Sequence, residues 1–312
     1  MTTISTRVLL GIYAILPAIV LLMFIDLLFF SGAIKHALPH FPEEILWYML
    51  LFNFPHIIAS FFSFADKEYL MRYKRPLMRG LPLIALAAIA LPWLSISATV
   101  ITLILYTMYH NISQQTGIAS ILMQHRDKWT QAWRWSLILF GLFLYTRIYP
   151  SPLSFAITTH TDSIIIVFLI LITLLTIMVT RQSKTLIGKW YGLGTMGIAA
   201  TGTIALYMGY PIVTITILRI VHDITAFIFY ITHDKNRNRE TMHNFFYRKI
   251  LPNTRLFPIG IPLFGILFTY IIQGGGVSTT IGIFFFVAVT HFFIEGFMWK
   301  AGSPHRANIA FA

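Results

Sequence analysis

The chain contains no cysteine among its 312 residues, and only 11% of its residues are charged. The lack of cysteine excludes disulfide frameworks, thiolate metal sites and thiol nucleophiles, so any chemistry must use histidine, carboxylate, hydroxyl or amide groups. A soluble domain has about 25% charged residues, and this chain therefore has too few to cover a surface that faces water. Hydrophobic residues make up 57% of the chain, and the mean hydropathy is +0.73. These values exclude an ordinary soluble protein.

Ten apolar runs are long enough to cross about 30 Å of hydrocarbon as helices. The predicted spans are 8–30, 43–64, 80–97, 98–123, 133–149, 162–180, 190–209, 212–234, 256–273 and 277–299. The first run is longer than the apolar region of a signal peptide, so we expect it to be a retained helix. Short turns are predicted at 95–97, 209–211 and 274–276. The sequence thus predicts one all-α domain over 1–312, a polytopic integral membrane helix bundle.

Positive charge alternates between the predicted loops. All but three of the 23 basic residues fall on one side of a ten-span topology; Lys35 and Arg147 lie opposite, and Arg219 lies within a span. The positive-inside rule then places both termini in the cytoplasm. We expect the chain to lie in the cell inner (plasma) membrane. The net charge of +12 is thereby explained by basic loops against anionic lipid, with no nucleic-acid partner.

Four histidines lie inside predicted spans at a similar depth. At 1.5 Å per residue, they are about 12 to 20 Å from the cytoplasmic ends of their helices. They are His56, His110, His222 and His291. Because ionisable groups within a bilayer are costly, four at one level indicate function. We interpret them as ligands of one metal ion; a proton or substrate relay and simple packing are the alternatives.

Each deep histidine has polar neighbours at helical spacing. Gln114, Asp223 and Glu295 follow His110, His222 and His291, and such groups orient ligating imidazoles or add ligands. Imidazole suits Fe, Zn or Cu, and carboxylates shift the preference toward iron or manganese, so Fe(2+) is the expected cofactor. His233, eleven residues after His222, is a possible additional ligand at the cytoplasmic mouth.

The remaining polar groups are expected to have simpler roles. Asp26, near the outer end of the first span, has no evident partner in the sequence and is interpreted as a headgroup contact. The other six histidines fall in predicted loops, where we expect solvated or headgroup-facing side chains. They are His36, His40, His125, His160, His243 and His305.

Three patches of the chain share a pattern with a known family. They are Pro55-His56, the isolated His110, and the aromatic run 226–230 that leads to His233. Together they resemble the Brp/Blh family of membrane β-carotene 15,15′-dioxygenases. The resemblance implies an all-helical membrane bundle that holds one iron through histidines. The family has a second histidine four residues after the one matched by His233, where this chain has Arg237. His222 or His291 would then complete the iron ligands.

The sequence therefore predicts a membrane-embedded, non-haem iron oxygenase that acts on a hydrophobic, lipid-soluble substrate, such as a carotenoid. Open coordination positions on the iron suit oxygen chemistry. An electron-donor protein is a conceivable partner. The alternative is a transporter or channel that uses the intramembrane His, Asp, Glu and Arg residues as a path for protons, metal ions or anions. A third option is a haem-binding membrane protein with axial histidines.

Overall fold

The computed structural model describes residues 1–39, 55–148, 160–272, 277–300 and 302–312. Within these ranges the protein is built from helices, as predicted, and the only extended pairings are two isolated bridges. Helices cover the predicted apolar runs, with ends that differ by a few residues. The first half of the second predicted span and the predicted turn at 274–276 lie outside the described residues.

The helices are numbered in chain order. Those of the first half are α1 (Thr6–Gly11), α2 (Ile15–Phe29), α3 (Ala33–Ala37), α4 (Pro55–Phe64), α5 (Lys67–Arg72), α6 (Lys74–Leu94), α7 (Ile96–Met123) and α8 (Lys128–Ile148). Those of the second half are α9 (Thr161–Arg181), α10 (Leu186–Tyr207), α11 (Pro211–Arg237), α12 (Phe245–Ile250), α13 (Phe257–Ile272), α14 (Val277–Met298) and α15 (Pro304–Ala307). A short 3-10 helix, Ile12–Ala14, joins α1 to α2.

Local chemistry sets several of these boundaries. The Asp66 carboxylate accepts the Glu68 backbone N–H at the start of α5, and Asn244 caps α12 in the same way. Ser95 adopts an extended conformation and separates α6 from α7. Gly209, with φ +80°, precedes Pro211 at the turn between α10 and α11. The two predicted turns that fall within the described residues are thus confirmed.

Four helical segments of the described chain are long and apolar enough to cross a membrane. They are Thr6–Phe29, Lys74–Leu94, Thr161–Arg181 and Pro211–Arg237. Three shorter apolar helices accompany them, Pro55–Phe64, Thr254–Phe268 and Gly282–Met298. Large apolar side chains such as Leu28, Phe29 and Trp93 are strongly exposed. Such surfaces are unfavourable in water and favourable in lipid, so the architecture is that of a membrane protein.

The chain divides into two compact units. Unit 1 comprises Met1–Ser5, Met49–Tyr106 and Thr225–Ala312, and unit 2 comprises Thr6–Tyr48 and Thr107–Ile224. In unit 1, α6 packs against α14, where Gly80 leaves room for the Phe293 ring. A Cβ at Gly80 would lie 2.3 Å from the Phe293 Cζ. Ile57, Ala59 and Ala288 belong to the same buried core.

Unit 2 is held together by polar pairs as well as by apolar packing. Helix α8 packs along α9, and Trp133 Nε1 donates a hydrogen bond to Thr176 Oγ1 at 2.9 Å. Helix α10 packs against α2, α8 and α9. The Tyr191 hydroxyl on α10 donates to Gln115 Oε1 on α7 at 2.7 Å. These bonds satisfy buried polar atoms in an apolar setting, where an unpaired group is costly.

The two chain termini meet in unit 1. The Ile4 backbone N–H donates to the Ala310 carbonyl at 2.8 Å, and the Ala312 N–H donates to the Ile4 carbonyl at 2.9 Å. Asn236, near the end of α11, bonds both terminal segments through Thr2 and the Asn308 carbonyl. The N-terminal and C-terminal segments therefore lie side by side.

Candidate functional site

Unit 1 brings two of the four deep histidines together. His56 lies at the start of the described part of α4, and His291 lies on α14. Their ring centroids are 5.2 Å apart and the rings are nearly perpendicular, at 79°. Both side chains are buried, with 1% and 0% of their surface exposed. The structure thus places these two of the four predicted ligands beside each other.

Hydrogen bonding fixes the tautomer of His291. The Ser60 hydroxyl donates to the Ile57 carbonyl at 2.6 Å, so its oxygen is the acceptor for His291 Nδ1 at 2.9 Å. In a neutral ring, Nδ1 is therefore the protonated nitrogen and Nε2 the unprotonated one. Ser60 lies one helical turn after His56, and residues at this spacing share a face of the helix. Ser60 therefore lies beside the histidine pair.

His291 Nε2 faces a carboxylate. Glu295, one turn along α14, has Oε2 at 4.0 Å from Nε2, and its side chain is 2% exposed. This distance is too long for a hydrogen bond. A proton or a metal ion between the imidazole and the carboxylate stabilises a buried pair of this kind. Metal bonds near 2.1 Å separate two ligand atoms by about 3 to 4 Å, so the gap suits an ion.

Unit 2 brings the other two deep histidines together. His110 on α7 and His222 on α11 have ring centroids 5.0 Å apart at an interplanar angle of 82°. Gln114, one turn after His110, has its amide nitrogen 3.4 Å from His110 Nε2. Both histidines are buried. The expected Gln114–His110 pairing is thus present at the expected helical spacing.

Arg219 and Asp223 flank His222 on α11. Their closest charged atoms are 3.8 Å apart, and the Arg219 side chain is buried. The i,i+4 ion pair supplies the counter-charge that an arginine within an apolar helix requires. Asp223, next to His222 in the chain, places a carboxylate in unit 2 beside a histidine pair, as Glu295 does in unit 1.

His233 belongs to a different part of unit 1. Its Nε2 lies 3.0 Å from the Tyr69 hydroxyl, and its Nδ1 lies 2.7 Å from Asp234 Oδ1. Both ring nitrogens are therefore engaged in hydrogen bonds with protein groups. In this arrangement His233 has no ring nitrogen available for a metal ion, so His233 is not one of the proposed ligands.

The prediction that His305 is a solvated loop residue is wrong. We expected a solvated loop histidine, but its side chain has no exposed surface and its ring packs 3.7 Å from the Tyr69 ring centroid. Neither ring nitrogen has a hydrogen-bond partner within the described residues. Burial, followed by the nearby His233 and Arg237, lowers the pKa of His305 to about 2. The ring is therefore neutral at physiological pH. Ser303 and Pro304, which begin α15, are the only local sign of an ordered segment.

A third group of acidic and histidine side chains in unit 1 combines the buried Asp66 with the exposed Glu68 and His243. Asp66, Glu68 and His243 have ligand atoms within 4.8 Å of one another. The Arg237 guanidinium bonds both carboxylates, through Nε to Asp66 at 2.9 Å and through Nη2 to Glu68. Since a cation already compensates these carboxylates, this group is an ion-pair network at the start of α5.

No protein-family model, no curated protein and no solved structure matches this chain.

Proposed function

We propose that this protein is a multi-pass enzyme of the inner (plasma) membrane, with ten spans and cytoplasmic termini, that uses non-haem iron to oxygenate a hydrophobic substrate. The observation that carries the proposal is the placement of His291 Nε2 opposite the Glu295 carboxylate, with His56 beside it. Two histidines and one carboxylate are the ligand set of non-haem Fe(II) oxygenases, which leave coordination positions for oxygen and substrate.

His56, His291 and Glu295 are the proposed iron ligands of unit 1. Ser60 would hold the His291 ring in the tautomer that presents Nε2, a positioning role typical of groups behind metal ligands. His110 and His222, with Asp223, offer the same donor set in unit 2, and Gln114 would orient His110. Bound iron would supply the redox chemistry of the reaction. The number of iron ions bound per chain shows whether one or both of the histidine pairs bind iron.

The lipid-facing surface supports a hydrophobic substrate. Exposed leucine, isoleucine and phenylalanine side chains cover much of the helices, so a lipid-soluble molecule reaches this protein from the bilayer. The resemblance to the Brp/Blh dioxygenases favours a carotenoid. An electron-donor protein would be needed only if turnover consumes reducing equivalents.

Two observations make the alternatives weaker. Transporters of the broken-helix type interrupt the helices that carry their sites, whereas α7 and α11 run without a break through His110 and His222. Two axial ligands on opposite faces of a haem would place their ring centroids about 6 Å apart, with bonds near 2.0 Å. The pairs within each unit are closer, at 5.2 and 5.0 Å.

Metal analysis of the purified full-length protein tests the proposal. We expect iron bound in whole-number stoichiometry, no haem absorption band, and loss of iron in His291→Ala and Glu295→Ala variants. His36→Ala is the matched control, because His36 is exposed and outside both pairs, and it should retain iron. A correctly folded wild-type protein that binds no iron, or a His291→Ala variant with full iron content, would contradict the proposal.

Substrate is tested separately with β-carotene in detergent micelles. We expect oxygen-dependent loss of the polyene absorption with the wild-type protein and none with His291→Ala. Iron binding without conversion of β-carotene would support the metal site and contradict the proposed substrate.

A further inference from the structure

A second buried polar group of unit 1 has no part in the proposed iron site. It consists of Tyr69, His233, Asp234 and His305, which we call the tyrosine cluster. Tyr69 is 2% exposed, His233 and His305 are fully buried, and Asp234 is 1% exposed. Four polar side chains sealed from solvent require a reason, because burial of such groups is costly.

The hydrogen bonds of the cluster run in one direction. Asp234 Oδ2 accepts from the Ser63 hydroxyl at 2.9 Å and from the Tyr247 hydroxyl, and Oδ1 lies 2.7 Å from His233 Nδ1. The carboxylate is the acceptor in each bond, so His233 Nδ1 carries the ring proton. His233 Nε2 is then an acceptor, and the Tyr69 hydroxyl donates to it at 3.0 Å.

The surroundings hold the phenol in its neutral, protonated form. Burial raises the pKa of Tyr69 above its usual value. The neutral ring of His305 covers Tyr69 at 3.7 Å between centroids and stacks on His233 at 5.0 Å, and this packing excludes water. Arg237 lies 5.0 Å from the Tyr69 ring, but Asp66 and Glu68 compensate its charge.

We propose that Tyr69 is a redox-active tyrosine, with His233 as the base that receives its proton. When Tyr69 loses one electron to a high-potential one-electron oxidant, its O–H bond breaks and the proton moves to His233 Nε2. The products are a neutral tyrosyl radical and an imidazolium, and the oxidant is reduced by one electron. Asp234 stabilises the imidazolium as an ion pair, so loss of the electron changes the charge of the buried cluster from −1 to zero and leaves no uncompensated cation.

Aromatic side chains connect the cluster to the rest of unit 1. Trp299 lies 6.1 Å from His233 and 5.8 Å from Tyr230, between ring centroids. Trp299 follows His291 by eight residues, about 12 Å along a helix. If the proposed iron site exists, an oxidised metal centre is one source of the oxidant. The redox chemistry of Tyr69 itself needs only an oxidant of sufficient potential.

The test uses purified full-length protein in detergent and a photo-oxidised ruthenium tris-bipyridine complex as the one-electron oxidant. Samples are frozen after illumination, and tyrosyl radicals are measured by electron paramagnetic resonance. We expect the main radical signal in wild type, its loss in Tyr69→Phe, and a several-fold lower yield in His233→Phe. Tyr73→Phe is the matched control, because Tyr73 packs in the same region without a hydrogen bond to an imidazole, and it should keep the signal.

A second measurement uses only the wild-type protein, so its result does not depend on whether the variants fold. In D₂O, the radical should show hyperfine coupling from exchangeable deuterons on His233 and on the Asn308 amide, which donates to the Tyr69 oxygen at 3.2 Å. Histidine labelled with ¹⁵N should add a nitrogen coupling, and this coupling assigns the bond to His233. A Tyr69→Phe protein that is folded and retains the full signal would overturn the proposal. A wild-type radical without an exchangeable coupling would also overturn it. Because no metal is needed, the result is independent of iron binding.

Discussion

At the scale of single residues, the surroundings of Asp26 give it a role that the sequence did not indicate. Asp26 was interpreted as a headgroup contact, but the structure buries it completely. Its carboxylate accepts the backbone N–H groups of Ile34 and Lys35 at 2.9 Å each, and the Tyr210 hydroxyl at 2.6 Å. The headgroup interpretation is therefore wrong. Tyr210 is 184 positions away in the chain, and no local pattern could indicate it.

Asp127 provides a pH-dependent prediction at this scale. It accepts the Thr130 backbone N–H and hydroxyl at 2.9 Å each, in a capping box at the start of α8. Burial acts to raise the pKa of Asp127, but these hydrogen bonds and His125 hold it below its usual value. The stabilisation is therefore present above the unfolded pKa of 3.8 and is lost as the pH falls through the folded pKa.

We expect Asp127→Ala to lower the free energy of unfolding by about 1 kcal/mol at neutral pH, as for other lost caps. Asp127→Asn keeps a capping oxygen but cannot titrate, so it is the matched control. Thermal unfolding in detergent should show the wild type losing stability relative to Asp127→Asn as the medium becomes acidic. Parallel curves for these two proteins would contradict the assigned role of the carboxylate.

At the scale of helices, close approach depends on individual glycines. A Cβ at Gly188, in the first turn of α10, would lie 2.5 Å from Met123 Cα at the end of α7. Thr185, which caps α10, donates its hydroxyl to the Leu122 carbonyl at the same contact. Backbone cannot move aside as a flexible side chain can, so this contact requires glycine.

We expect Gly188→Ala to destabilise the protein by about 2 kcal/mol, because the added methyl group forces α7 and α10 apart. Gly117→Ala is the control, since Gly117 is also helical but its Cβ would meet nothing within 4 Å. That substitution should stabilise α7 by up to about 1 kcal/mol through helix propensity. Thermal melting of both variants in the same detergent measures the difference. Equal melting temperatures for the two variants would contradict the expected steric clash between α7 and α10.

At the scale of the whole molecule, the paired termini bear on topology. The hydrogen bonds between Ile4 and the segment Ala310–Ala312 place both ends of the chain together. A chain whose ends meet on one side of a bilayer crosses it an even number of times. The proposed topology, with ten spans and both ends in the cytoplasm, agrees with this arrangement, as does any other even number of spans.

The natural absence of cysteine allows a direct test of this topology. Single cysteines at Thr3, His36 and Glu240 replace side chains that are exposed in the structure. With an impermeant maleimide on intact cells, we expect labelling of His36→Cys alone, because only that position is predicted to be extracytoplasmic. Permeabilised cells should label all three variants. Labelling of Thr3→Cys in intact cells would reject cytoplasmic termini.

The candidate site was predictable in part. Helical periodicity correctly placed Gln114 one turn from His110 and Glu295 one turn from His291, because residues four apart share a helix face. It could not indicate that Ser60 would orient His291, since the two lie 231 positions apart. Nor could hydropathy distinguish the buried His305 from a solvated one, because its burial comes from aromatic rings on other segments.

The sequence by itself determined that this protein is helical, apolar and suited to a membrane, because hydropathy, charge and helix spacing are local properties of the chain. It also determined which histidines lie deep within apolar helices. Only the tertiary structure decided that His56 pairs with His291, and His110 with His222, and that His233 and His305 form a cluster with Tyr69. Those choices depend on which helix faces pack together, and packing brings together residues that are far apart in the chain.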